Sequence, residues 1–161
     1  MNAGRLADIR YGGIDHGGNR VNYLTPSGLR RKIESRYGGG EWFDPCPWPA
    51  PPWDGLKVIW RGKAFVNPPY SKDVGEWLEK GIGEIAAGNC SVAVYLLHSR
   101  TGTSWFHKYI LGRAQEIRFY RGRVAFPLPG KLRVEPAPFD SVIVAFYPEP
   151  RRWEPIVGAW A

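Results

Sequence analysis

Asn67-Pro68-Pro69-Tyr70 is the segment whose residue types and order could carry chemistry. An aromatic exocyclic amine is a poor nucleophile because its lone pair is delocalised into the ring. Two acceptors aimed at its two hydrogens draw the nitrogen towards a tetrahedral shape and free that lone pair. They also stabilise the positive charge that moves from a sulfonium donor onto the nitrogen. The Asn67 side-chain oxygen supplies one acceptor and the Pro68 backbone carbonyl the other. Consecutive prolines hold Asn67 and Pro68 extended and remove two N–H donors that would compete locally. Tyr70 offers a flat face for stacking a base. No strong base is needed, because the proton can leave after transfer, and the chain carries no Ser–His–Asp or carboxylate-pair constellation. The plain alternative is a Pro-rich turn in a chain with 15 prolines. The sequence around the segment weighs against it, since such a loop must follow a strand and precede a helix.

The flanking residues meet that requirement. Ala64-Phe65-Val66 predicts a strand running into the loop. Ser71 is a candidate cap for a helix in which Val74, Trp77, Leu78, Gly81, Ile82, Ile85 and Ala86 form one apolar stripe. Gly88-Asn89 closes that helix, and Ser91 to Leu97 is a continuous apolar run, as in a buried parallel strand. Upstream, Thr25 as N-cap and Pro26 at the first helical position start a helix with Leu29, Ile33 and Tyr37 on one face. Gly38-Gly39-Gly40 ends it. Residues 41–44 form a short strand candidate before a loop with five prolines from Pro45 to Pro52. Downstream, a short helix around residues 105–110 precedes strands near 115–120, 124–126 and 141–147, with a Pro-rich loop over 127–138. The pattern predicts one α/β domain over residues 1–161, with a mainly parallel sheet and an antiparallel C-terminal edge. Residues 1–20 read as a mobile arm and residues 148–161 as a tail.

Composition bounds the partners. A hydrophobic fraction of 43% with eight Trp indicates a folded globular chain. No stretch reaches the ~18 apolar residues of a membrane span, and no apolar leader opens the sequence, so a soluble, cytoplasmic protein is expected. Cys46 and Cys90 alone support neither a disulfide framework nor a zinc site. His98 and His107 lack metal-ligand partners at useful spacing, and no metal is expected. The 22 Lys and Arg against 15 Asp and Glu leave a net charge of +7, which suits a polyanionic partner. Arg113, Arg118, Arg121 and Arg123 are interleaved with Phe119, Tyr120 and Phe126. This mix suits a phosphate-contacting edge with stacking groups for a flipped or single-stranded base. Its plain alternative is a solvated strand face.

With these residues in view, the chain resembles the phage-type DNA N6-adenine methyltransferase (Dam-like) family. The likeness runs from about Tyr23 to Tyr147. It includes Tyr23-Leu24-Thr25-Pro26, Phe43-Asp44-Pro45-Cys46, Asp54-Gly55-Leu56 with Trp60, and Phe65 to Ser71. His98-Ser99-Arg100-Thr101 before Trp105-Phe106, and Gly122-Arg123 before Phe126, complete it. The resemblance implies a Rossmann-like methyltransferase fold, S-adenosyl-L-methionine as donor and DNA as acceptor, with a viral or phage-like setting. It implies that Thr25 and Pro26 contact the methionine end of the donor. By the same likeness Asp44 and Pro45 end the first cofactor-binding strand, and Asp54 lies near the donor's adenine. Phe126 would pack against the flipped base. Only nine residues (45–53) separate Asp44 from Asp54, a shortened cofactor-binding segment without a Gly-rich loop. Cytosine N4, an RNA base or a protein glutamine amide also presents an NH2 on a planar carbon. The rival from another class is a degenerate, non-catalytic nucleic-acid-binding module.

Overall fold

The structure, a computed structural model, describes residues 24–70, 74–127, 134–148 and 156–160, with the backbone of two further short strands. Those strands, β1 (Gly13–Ile14) and β2 (Arg20–Val21), pair antiparallel within the segment expected as an arm. The rest of that arm and the proposed Ser71 cap lie outside the described residues.

The main sheet has five strands: β3 (Gly62–Val66), β4 (Cys90–His98), β5 (Glu116–Tyr120), β8 (Ser141–Phe146) and β9 (Ile156–Trp160). Their spatial order is β3-β4-β8-β5-β9. β3 and β4 are parallel, β8 is antiparallel to both β4 and β5, and β9 is parallel to β5. Four strands therefore run one way. The reversed strand lies inside the sheet rather than at its edge, which corrects the expected antiparallel edge. Helix α2 (Val74–Ala86) connects β3 to β4, as the apolar stripe predicts.

Both faces of the sheet are covered, which explains the unbroken apolar runs of β4 and β8. Ala64, Val66, Ala93, Tyr95, Leu97, Val142 and Val144 face α2 and a π-helical turn, Phe106–Leu111, where the sequence suggested an ordinary short helix. Phe65, Val94, Leu96, Ile143 and Ala145 face helix α1 (Ser27–Arg36) and a ribbon of β6 (Ala125–Phe126) and β7 (Glu135–Pro136).

Three local expectations change. Helix α1 starts at Ser27 with Pro26 as its N-cap and no side-chain cap, because the Thr25 hydroxyl is engaged elsewhere. The strand expected at 41–44 shrinks to one parallel bridge, Phe43 to Ala64, because the prolines beginning at Pro45 cannot extend a ladder. Within 148–161, residues 156–160 are not tail but β9. There Ile156, Gly158 and Trp160 alternate with the more exposed Val157 and Ala159, and Trp160 packs into the core facing α1.

Candidate active site

β3 delivers Asn67 to the C-terminal end of the sheet, where crevices form in open α/β sheets. Two neighbours, distant in sequence, fix the residue there. Its Nδ2 donates to Thr25 Oγ1 at 3.1 Å, so Oδ1 occupies the opposite branch of the amide. Its backbone carbonyl accepts from Cys46 Sγ at 3.2 Å. Pro68 and Pro69 follow, both buried, and Tyr70 is half-buried. Thus Thr25, Asn67 and Cys46, far apart in sequence, meet at one point.

Tyr70 sits in an aromatic cluster. Its ring makes near-perpendicular contacts with His98 at 4.8 Å, Phe139 at 5.1 Å and Phe126 at 6.3 Å. Trp105 approaches His98 from another side at 5.8 Å. Phe126, which the resemblance places against a flipped base, lies beside Tyr70, and His98, Phe139 and Trp105, not singled out for a site role, join them. One signal for His98 was available: it ends β4, the strand beside β3, at the same sheet end as Asn67. Burial, and then the charge of Arg100, lowers the His98 pKa to about 4, so its ring is neutral at physiological pH.

This lowered value has a measurable consequence. Between about pH 6.5 and pH 4 the unfolded chain binds a proton at His98 that the folded chain refuses, so stability falls as pH drops through that window. Comparing wild type with His98→Asn by urea unfolding at pH 7.5 and pH 5 should show about 2 kcal/mol less acid destabilisation in the variant. Equal pH dependence would mean that the ring is solvated.

Asp44 and Asp54 flank the Pro-rich segment. Asp44 Oδ1 accepts from Cys46 N at 3.0 Å, and Oδ2 pairs with Arg30 at 2.5 Å. Arg30 also bonds Glu34 at 2.7 Å and lies 4.8 Å over the Phe65 ring. Burial raises the Asp44 carboxyl above its usual range, although the Arg30 charge opposes this. Burial, and then Asp44, also pushes the Cys46 thiol well up, keeping it a neutral S–H donor. Asp54 makes a turn, with Oδ1 accepting from Leu56 N at 3.0 Å. Gly55 packs so closely on Pro45 that an added Cβ would lie 1.9 Å from the Pro45 carbonyl oxygen. The turn at 54–56 and the segment at 44–46 are thereby pressed together.

The expected basic edge separates into parts. Arg121 and Arg123 stand exposed on the turn after β5, at the same sheet end as Asn67. Arg118 is half-buried and bonded to Glu116 at 2.9 Å. Arg113 lies by Tyr109 beyond the π-helical turn, on the opposite face of the sheet from Arg118. Among the described residues no group of three or more His, Cys, Asp or Glu could hold a metal, and no helix is long and apolar enough to cross a membrane.

The family model described as DNA N-6-adenine-methyltransferase (Dam) matches residues 50–151, well over half of the chain. The chain belongs to the Dam family. Comparison with curated proteins and with solved structures finds no match. The Dam match spans Asp54, the Asn67 to Tyr70 loop, His98, Arg118, Arg121, Arg123 and Phe126. Thr25, Pro26, Asp44 and Pro45 precede it and connect to the Dam region through Asn67 and Gly55.

Proposed function

We propose that the protein methylates the N6 amine of an adenine swung out of DNA, with S-adenosylmethionine as donor. The observation that carries this reading is the anchored Asn67, held by Thr25 and Cys46 at the end of β3 next to half-buried Tyr70. Such a donor, when bound, supplies an electrophilic methyl on a positively charged sulfur. The residues fit its methionine end. The Asp44 carboxylate has more acceptor sites than Arg30 and Cys46 use, which suits an ammonium, and Thr25 retains its own O–H to donate. Pro26, Pro45 and Asp54 complete the proposed cofactor set.

Asn67 Oδ1 and the Pro68 carbonyl accept the two amine hydrogens and orient the lone pair. Because both are fixed before reaction, they stabilise the developing charge without reorganising. Tyr70, with Phe126 behind it, stacks on the extruded base. That contact offsets part of the few kcal/mol that extrusion costs. Arg121 and Arg123 hold phosphates at the rim. Transfer of labelled methyl to DNA, followed by nucleoside analysis, tests the reading. N6-methyladenine is the expected product. Label on cytosine would change the acceptor but retain the loop chemistry.

Besides facing the donor, Thr25 positions Asn67, and at saturating donor the second role is the one read in the rate. Thr25→Val should lower the transfer rate by about tenfold, one lost neutral hydrogen bond, while Thr25→Ser should restore it. Equal rates in wild type and Thr25→Val would detach Thr25 from the loop.

A second reading has two observations in its favour. Asp44 is paired with Arg30 and the strand before it is reduced to one bridge, as suits a non-catalytic nucleic-acid-binding module. A thermal shift with S-adenosylmethionine separates the two. A donor that binds the fold raises stability by RT ln(1 + [L]/Kd), and no shift at saturating donor would favour the module.

A further inference from the structure

Helix α1 presents two different faces. On one, Arg30 is bonded to Glu34 and Asp44. On the other, Arg31, Lys32 and Arg36 line an open groove of about 900 Å³ that the chemistry above does not use. Arg118 and Trp160, from β5 and β9, form its other wall, and Gly28 lies at its upper end. The charges do not cancel. Glu116, bonded to Arg118 at 2.9 Å and to Arg36 at 3.3 Å, offsets part of the charge of these two. Arg31 and Lys32 are exposed and have no acidic partner among the described residues. Arg36 is also held 5.6 Å over the Trp160 ring, so part of the wall is fixed in place.

The groove has a direction. Gly28 is three residues beyond Thr25, which bonds Asn67, and Trp160 pairs with Tyr120 at the C-terminal end of β5. Arg36 lies lower, against Glu116 at the start of β5. From Gly28 to Arg36 the helix rises about 12 Å. A nucleic-acid strand carries one phosphate per ~3.4 Å of duplex axis, so several phosphates can lie along it. The same end of the sheet carries Arg121 and Arg123 on the turn after β5, with Arg123 3.7 Å from Asp140.

We propose that this groove seats the sugar–phosphate backbone of the DNA strand flanking the target nucleotide, making α1 a DNA-positioning helix. The proposal rests on the DNA-methyltransferase reading and adds a surface to it. Backbone contacts of this kind set register and orientation without reading sequence. Losing them should weaken binding to all sequences alike.

Two variants test the groove without disturbing the loop. Arg31→Ala combined with Lys32→Ala removes the two charges that have no acidic partner among the described residues. Gly28→Glu places a carboxylate in the groove, where an added Cβ meets nothing within 4 Å. Arg61→Ala, exposed just before β3 at the other end of the sheet, is the charge control. Binding of a labelled duplex is measured by anisotropy across a salt series, with thermal melting to verify folding. Both groove variants should bind about tenfold or more weakly at low salt. The double variant should have a slope of log K against log salt shallower by about 0.9 for each phosphate it no longer neutralises. Arg61→Ala should keep the wild-type affinity within about twofold. Wild-type affinity and slope in folded groove variants, with wild-type methyl transfer intact, would overturn the groove alone. A larger loss on RNA than on DNA would overturn the DNA assignment of the groove. A wild type that neither binds nor methylates DNA would remove the functional reading itself.

Discussion

Asn67→Ala should reduce methyl transfer by roughly 10²–10³ or more while leaving donor affinity nearly unchanged. Asn67 contributes an acceptor that matters when charge develops on the target nitrogen, so its loss belongs to the chemical step. The surroundings favour a clean measurement. Thr25 and Cys46 hold Asn67 from two sides, and Cys46 reaches its backbone carbonyl, which alanine retains. The backbone path into Pro68 should therefore survive. Single-turnover rates at saturating donor and DNA, with calorimetry for donor binding, separate the steps. A variant with wild-type rate would remove the active-site assignment. A variant that lost donor binding instead would recast Asn67 as part of the cofactor site.

Gly55→Ala should destabilise the fold by about 3 kcal/mol and abolish activity as well. The added methyl would sit 1.9 Å from the Pro45 carbonyl oxygen and 3.0 Å from the Trp77 ring. Backbone offers no rotamer by which to yield, so either the 54–56 turn or the 44–46 segment must move. The Gly55 carbonyl also accepts from Trp60 Nε1 at 2.8 Å, so a shift would uncouple a fully buried indole. Movement of the Pro45 segment would carry Asp44 and Cys46 with it, and through Cys46 the carbonyl of Asn67. Urea unfolding together with methyl transfer tests this. Unchanged stability would mean that the two segments are not pressed together.

The parts of the fold readable in the sequence are those set by near neighbours. The strand, Asn67 loop, α2 and β4 follow one another, the loop marked by its residue types and the other three by apolar spacing. The glycines 38–40 end α1 in left-handed conformations that other residues resist, with φ of 107°, 52° and 73°. What was hidden depends on partners chosen across the chain. Nothing local says that β8 inserts between β4 and β5, or that residues 156–160 add a strand beyond β5. The same holds at the site. A Thr before Pro is a good helix cap by local rules, but the Thr25 hydroxyl is directed to Asn67, 42 residues on. Arg30 reaches Asp44 across a helix end and the glycine turn. One pairing at the basic edge is legible from spacing alone. Glu116 and Arg118 are two apart on a strand and so share a face, which assigns Arg118 an internal partner.

The position of β8 has a consequence for how the chain reaches its folded state. β4 and β5 both precede β8 in sequence, yet each pairs with β8 and not with the other. Residues 99–140 must be set aside before β8 can close the gap, and until then the apolar edge of β4 is open. Contacts of such long sequence separation slow folding, because loop closure costs entropy before any pairing is gained. An early intermediate would thus hold β3, α2 and β4 as a strand–helix–strand unit with the β4 edge unsatisfied. Self-association at that edge, more than loss of the finished fold, should limit recovery of the protein at high concentration during refolding.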